Sequence, residues 1–226
     1  RSDNRVCSLT FAPDGLHLAV GYENGCVQLL NGKSCRLVLV VLRVAYRNMC
    51  IAFAPSGLHL VVSLQDGGVQ LLDAKSLSVV TWRHEGDHVC SLTWAPNGLH
   101  LAIGYEHGRV ELLDKFLCLV SDVRYSDDHV SSLTFATSGS HLAVGYEDGR
   151  VQLLDAESLL VVRDCFTVLN LKHLASYLSC VAYAPSGRHL VVCYGHGLVQ
   201  LLDVESLRLV QDLRLAAGIM SCVAYE

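Results

Sequence analysis

A chain of 226 residues, 51% hydrophobic and only 17% charged, has enough apolar surface to bury a core, which excludes a disordered chain. Its net charge of −5, with Lys and Arg scattered, offers no basic stripe to neutralise phosphates, so nucleic acid is not an expected partner. No apolar run approaches the roughly 20 residues that span a bilayer, so a soluble chain without a membrane partner is expected.

The chain opens on Arg1-Ser2-Asp3-Asn4-Arg5, which lacks both an initiator Met and the charged-then-apolar layout of a secretion signal and reads as a trimmed boundary. The run Val6-Cys7-Ser8-Leu9-Thr10-Phe11-Ala12-Pro13-Asp14-Gly15-Leu16-His17-Leu18 then recurs around Phe53, Trp94, Phe135 and Tyr183, at spacings of 42, 41, 41 and 48 residues, and Tyr225 follows Tyr183 by 42. A period of 40 to 45 residues holding four short β-like runs is the signature of a propeller blade, a unit that cannot bury both faces alone.

Each unit divides in the same way. A first strand ends at the aromatic anchor, as in Val89–Trp94, and turns at Ala95-Pro96-Asn97-Gly98, where Pro fixes φ and Gly accepts a positive one. A second strand, Leu101–Tyr105, ends in the tight hairpin Glu106-His107-Gly108, whose counterparts are Glu23-Asn24-Gly25, Gln65-Asp66-Gly67, Glu147-Asp148-Gly149 and Gly195-His196-Gly197. The third strand is Val110–Asp114, and a less regular fourth follows a Ser-Leu lead-in, as in Leu77–Trp82 or Leu207–Val210. Such short runs leave no room for helices.

These motifs resemble the WD40 family along essentially the whole chain: Phe-x-Pro-x-Gly-x-x-Leu-x-x-Gly, the Asp-Gly-like hairpin and the hydrophobic-x-hydrophobic-hydrophobic-Asp ending. Where that family commonly ends its third strand in Trp-Asp, this chain has Leu30-Asn31, Leu72-Asp73, Leu113-Asp114, Leu154-Asp155 and Leu202-Asp203. The Gly-His usual before the first strand is replaced by His84-Glu85-Gly86-Asp87 and Tyr125-Ser126-Asp127-Asp128. The family's buried Trp, Ser, His and Asp network cannot be assembled from these residues, so aliphatic packing is expected in its place.

The expected fold is therefore all-β: a single WD40-like β-propeller domain over 1–226, with repeats at about 6–47, 48–88, 89–129, 130–176 and 177–218. These are five complete four-stranded blades, and a partial repeat, 219–226, adds the first strand of a further blade near Met220. One extra strand suits no neat closure and would leave a sheet edge open, which points to part of a six- or seven-bladed propeller. Closure by a missing chain segment or a second copy is the alternative.

The expected catalytic, cofactor and metal residues are none. Ten cysteines lack CxxC pairs; Cys7 and Cys90 share one repeat position and Cys50, Cys180 and Cys222 the next, as small apolar residues of an inner strand would. They read as mostly buried thiols of a reducing compartment, cytoplasm or nucleus. His17, His59, His100, His141 and His189 recur once per unit at a turn-to-strand junction, too far apart to meet at one metal, and read as structural or solvent-facing. His84 with Glu85 and His88 with Asp87 are base-and-carboxylate pairs without a nucleophile or oxyanion loop. Asp127, Asp128 and His129 are adjacent in an extended segment and point to different sides.

The WD40 resemblance implies a protein-binding face made of the second-to-third-strand hairpins and the inter-blade loops. It would carry Tyr22, Glu23, Asn24, Gln65, Asp66, Tyr105, Glu106, His107, Arg109, Tyr146, Glu147, Asp148, Arg150, Tyr194 and His196, with the tyrosines just beneath the tips. Turn chemistry and blade packing account equally well for the acids and the tyrosines. The segment from Phe166 to Tyr177 breaks the period, and its Leu169, Leu171 and Leu174 spacing suits a short helical turn, docking a partner or packed back on the blades. Three functions follow. The first is a scaffold subunit of a multiprotein complex, binding other proteins or peptides. The second is a ubiquitin-ligase substrate receptor, because Gly86-Asp87 followed by Val89, Ser91, Trp94, Gly98, Ala102, Gly104, Gly108, Val110 and Asp114 is similar to fizzy-type activators. The third is a propeller hydrolase or lyase, for which the inner strands offer little chemistry.

Overall fold

The structure, a computed structural model, describes residues 5–41, 48–64, 66–166 and 177–214. Regular structure among them is all strand, in five antiparallel sheets of four strands each, paired in chain order. The first sheet is β1 (Val6–Phe11), β2 (His17–Tyr22), β3 (Val27–Asn31) and β4 (Leu37–Val41), and the second is β5 (Asn48–Phe53), β6 (His59–Leu64), β7 (Gly68–Asp73) and β8 (Val79–His84). The third is β9 (Val89–Trp94), β10 (His100–Tyr105), β11 (Arg109–Asp114) and β12 (Leu119–Arg124), and the fourth is β13 (Val130–Phe135), β14 (His141–Tyr146), β15 (Arg150–Asp155) and β16 (Val161–Phe166). The fifth is β17 (Leu178–Tyr183), β18 (His189–Tyr194), β19 (Leu198–Asp203) and β20 (Leu209–Arg214). The five expected blades are these five sheets. The strand expected within 219–226 and the leucines at 169, 171 and 174 lie outside the described residues.

By compactness the chain falls into two units, residues 1–101 with 113–120 and residues 102–112 with 121–226. In the first, Val27, Leu29, Ile51, Phe53, Leu60, Val62 and Leu72 form one core. In the second, Val151, Leu153, Val181, Leu190, Val192 and Tyr194 form another. The middle strands read as near-continuous apolar runs because both faces are covered: β14 and β18 are buried from their second residue to their last. The fourth strands alternate or stay exposed, as sheet edges do.

Two turns set each blade's outline. At the first, the Ala54 N–H donates to the His59 carbonyl at 2.9 Å, and Ala12, Ala95, Ala136 and Ala184 donate likewise to His17, His100, His141 and His189. All five histidines are half-buried at a strand start, so their repetition belongs to the turn. At the other turn, Asp73 Oδ1 accepts from the Ser76 N–H and from Ser76 Oγ, both at 2.8 Å, which draws the carboxyl below the usual carboxylate range. The chain then passes through Leu77 at φ 53°, and Leu117, Leu159 and Leu207 repeat that left-handed conformation at 66°, 56° and 51°. It costs a non-glycine residue about 1–2 kcal/mol, but burying a leucine returns about 1.5–3 kcal/mol, and Leu77 and Leu159 are 1% and 0% exposed. The Ser-Leu lead-in is thus an Asx-capped turn whose strained residue is held by the core.

The expectation of mostly buried thiols is corrected. Cys26, Cys180 and Cys193 are buried, Cys50, Cys90 and Cys165 half-buried, and Cys7, Cys35 and Cys118 exposed. Strand β1 exposes alternate residues, and turn positions such as Cys35 have no neighbour to cover them. The Cys50 thiol itself is enclosed; it donates to the Cys90 carbonyl at 3.3 Å, and burial pushes it up to about 12.

Candidate functional site

The hairpins joining second and third strands stand on buried struts. The Tyr105 hydroxyl donates to Glu111 Oε2 at 2.6 Å, Tyr146 to Gln152 Oε1 at 2.9 Å and Tyr194 to Gln200 Oε1 at 3.2 Å. In the first unit, Tyr22 donates to Gln28 Oε1 at 2.9 Å. Each tyrosine supports its hairpin by reaching the polar residue six places on, in the next strand. Tyr105, Tyr146 and Tyr194 are 0% exposed and Tyr22 half-buried. Close packing of adjoining strands seals the first three in beneath the tips, as the blade-packing reading of the tyrosines expects. Beside the expected aliphatic packing, these hydrogen bonds and the Asp-Ser caps supply a polar network of a different composition.

The two arginines are clamps. Arg109 Nη2 lies 2.5 Å from Glu111 Oε1, a carboxylate 0% exposed, and Arg109 Nε lies 3.5 Å from Asp122 Oδ2. Its guanidinium sits 5.6 Å from the Tyr105 ring centroid. Arg150 Nε donates to Asp164 Oδ1 at 2.9 Å and Nη2 to Oδ2 at 2.5 Å, while Nη1 donates to the Tyr125 carbonyl at 3.0 Å. The Arg150 guanidinium holds the Asp164 carboxyl below the usual carboxylate range, and Asp164 pushes Arg150 up in return. Both guanidinium groups are thus already engaged inside the protein, Arg109 by carboxylates of its own sheet and Arg150 by Asp164 of its own sheet and by the Tyr125 carbonyl that precedes it.

What faces outward is smaller and more acidic. Asn24, His107, Glu147 and Asp148 are exposed, and Glu23, Glu106 and His196 half-buried. Asp148 Oδ1 accepts from the Arg150 N–H at 2.9 Å, and Asn24 Oδ1 from the Cys26 N–H at 3.0 Å, so turn chemistry explains both residues. Desolvation raises the Asp148 carboxyl, and the carboxylate of Asp128 adds to this. His107 stands edge-on to His129 with centroids 6.5 Å apart, and His129 Nδ1 lies 3.5 Å from Glu147 Oε2. The His196 ring nitrogens are buried without a hydrogen-bond partner among the described residues, 6.0 Å from Tyr194 between ring centroids.

The tips of the second unit are fixed by backbone. The Glu147 N–H donates to the His129 carbonyl at 2.9 Å, and the Leu178 N–H to the Glu147 carbonyl at 3.2 Å. Gly108, at φ +70°, abuts the Ser126 carbonyl so closely that a Cβ there would collide with backbone.

The remaining sequence candidates are not brought together. His84 faces Asp66 at 3.7 Å while Glu85 pairs with Arg83 at 2.8 Å. Asp127 pairs with Arg124 at 2.8 Å, the Asp128 N–H bonds Ser126, and His129 turns to Glu147. Among the described residues no group of three His, Cys, Asp or Glu side chains is placed to hold a metal ion, and no helix is long and apolar enough to cross a membrane. Glu111, Gln152 and Asp164 are the residues sequence reasoning missed. For Glu111 and Gln152 the signal was a polar side chain recurring inside the Val-x-Leu-Leu core of each third strand.

Comparison with known families gives two matches. Residues 119–171, spanning β12 to β16, match the model of the anaphase-promoting complex subunit 4 WD40 domain. Residues 2–31, which include β1 to β3, match that of the WD domain, G-beta repeat. No curated protein matches the chain. Neither matched segment falls on residues 86–114, where the likeness to fizzy-type activators lies. WD40-repeat proteins are typically non-enzymatic scaffolds for protein interaction. The repeating four-stranded sheets and these two matches, over residues 2–31 and 119–171, support WD40-type repeats in this chain.

Proposed function

We propose that the chain serves as a subunit of a multiprotein complex in a reducing compartment, cytoplasm or nucleus, and that it docks a protein or peptide on the hairpin tips of its second unit. The observation that supports this most directly is the position of the subunit 4 match. It covers 119–171, the stretch holding Asp127, Asp128, Glu147 and Asp148 and the backbone bonds that fix these tips. A surface of carboxylates on a rigid support favours a basic partner segment, since little ordering entropy remains to be lost on binding.

Affinity capture from cell extract with the full-length protein tests this, comparing wild type with a His107→Ala, Glu147→Ala, Asp148→Asn variant. These changes leave every strut and clamp in place. Loss of a specific set of co-purifying proteins from the folded variant is the expected result, and an unchanged set overturns the assignment of the tips as the docking face.

A further inference from the structure

The other end of the sheets, where first strands turn into second and third into fourth, carries a groove of its own. In the first unit a cavity of about 570 Å³ is lined by Pro55, Leu58, Val80, Trp94, Leu99 and Phe116. Leu58, Leu99 and Phe116 are 58%, 54% and 59% exposed. The repeat does not demand this. The groove at the corresponding turns of the second unit, about 620 Å³, is lined by Thr137, Ser138, Ser186, Arg188 and Glu205. Where Leu58 and Leu99 stand, the fourth and fifth sheets have Ser140 and Arg188 before the same histidine. Blade packing is satisfied by either set, so the exposed apolar wall has no structural reason of its own.

Two polar groups define what such a wall would accept. Trp94, which lines the groove and is 8% exposed, keeps its indole N–H buried without an acceptor among the described residues. An unpaired buried donor is costly, and an occupant's carbonyl would relieve it. Lys115 is the only Lys, Arg, Asp or Glu among the lining residues, and it has no acidic partner among the described residues; its ammonium rests 5.1 Å from the Phe116 ring centroid.

We infer that this groove is a second docking site, for an extended segment of a partner protein that alternates apolar and acidic residues. Its side chains fill the space between Leu58, Leu99 and Phe116. A backbone carbonyl accepts from Trp94 Nε1, and a carboxylate meets Lys115. The site shares with the reading above only the protein-binding role, and it is built from different turns, those between first and second and between third and fourth strands.

The chain carries its own reporter. In a ¹⁵N-labelled Trp82→Phe variant, Trp94 gives the sole indole N–H resonance. The probes are capped peptides of alternating leucine and aspartate, and matched peptides with lysine in place of aspartate. The aspartate peptides should move that resonance downfield and bind at least tenfold more tightly than the lysine set, and Lys115→Glu should reverse the order. Trp94→Phe, with its fold verified by thermal melting, should weaken peptide anisotropy binding about fivefold, the loss of one hydrogen bond. Asp148→Asn should change none of these values, which separates this site from the tips. Equal binding of the two peptide sets overturns the inference, as does an indole resonance unmoved at millimolar peptide. A resonance that shifts with protein concentration alone also overturns it and assigns the groove to a second copy.

Discussion

The third and fourth sheets begin their third strands with the same residue, Arg109 and Arg150, yet point it in different directions. In the third sheet the residue two places on is Glu111, fully buried, and Arg109 turns inward to neutralise it at 2.5 Å while Asp122 waits at 3.5 Å. In the fourth that residue is Gln152, which asks for no countercharge, and Arg150 turns to the edge strand and grips Asp164 through two nitrogens. A single carboxylate in place of an amide thus converts a surface clamp into an internal ion pair. Two chemically identical arginines at matched positions carry unequal energy because their partners differ in burial.

Removing each arginine breaks or sharpens that contrast. Arg109→Ala leaves a buried carboxylate without its countercharge and should cost about 3–5 kcal/mol in urea unfolding. Adding Glu111→Gln should restore most of it, because Gln28, Gln70 and Gln200 occupy the same place beside Cys26, Gly68 and Leu198 with no arginine there. Tyr105→Phe should cost about 2 kcal/mol and Tyr146→Phe about 1 kcal/mol, since the first hydroxyl donates to a charged acceptor and the second to an amide. Arg150→Ala should cost about 1 kcal/mol or less, because Asp164 is one-third exposed and water can take over its solvation. Equal losses from the two arginine variants would show that burial of the acid does not decide their worth.

Much of the fold was legible because it rests on local chemistry that repeats. Pro55-Ser56-Gly57 and Asp66-Gly67 dictate turns wherever they occur, and the spacing of aromatic anchors at 41 and 42 residues counts the blades. The left-handed leucines were not legible, since a leucine adopts that conformation only when the core takes its side chain, which is a tertiary fact. The tyrosines are legible as lying beneath their hairpin tips, but not what their hydroxyls reach. Their partners, Glu111 and Gln152, stand six residues away across a turn, so the bond exists only once register is set. The apolar groove at Trp94 was hidden differently, in Leu58, Leu99 and Phe116, which as single exposed residues carry no signal until the turns bring them side by side.

The smallest expected effect lies in pH, where two carboxylates around one hairpin act with opposite sign. Arg150 depresses the Asp164 carboxyl, so the stabilisation from that pair is present above the unfolded-state pKa of about 4 and is lost as pH falls through the lower folded value. Desolvation, with Asp128 beside it, raises the Asp148 carboxyl, so its contribution is present below about 4 and is lost as pH rises through the raised folded value. Asp164→Asn should therefore lower stability at neutral pH, with the gap to wild type closing in acid. Asp148→Asn, which keeps the acceptor for the Arg150 N–H just as Asn24 keeps one for Cys26, should raise stability at neutral pH, and its gap should also close in acid. Urea midpoints measured from about pH 7 down to about pH 3 separate the two slopes. Slopes of the same sign would mean that the hairpin carboxylate is solvated like any other surface acid, leaving the tip of the fourth sheet electrostatically indistinguishable from open water.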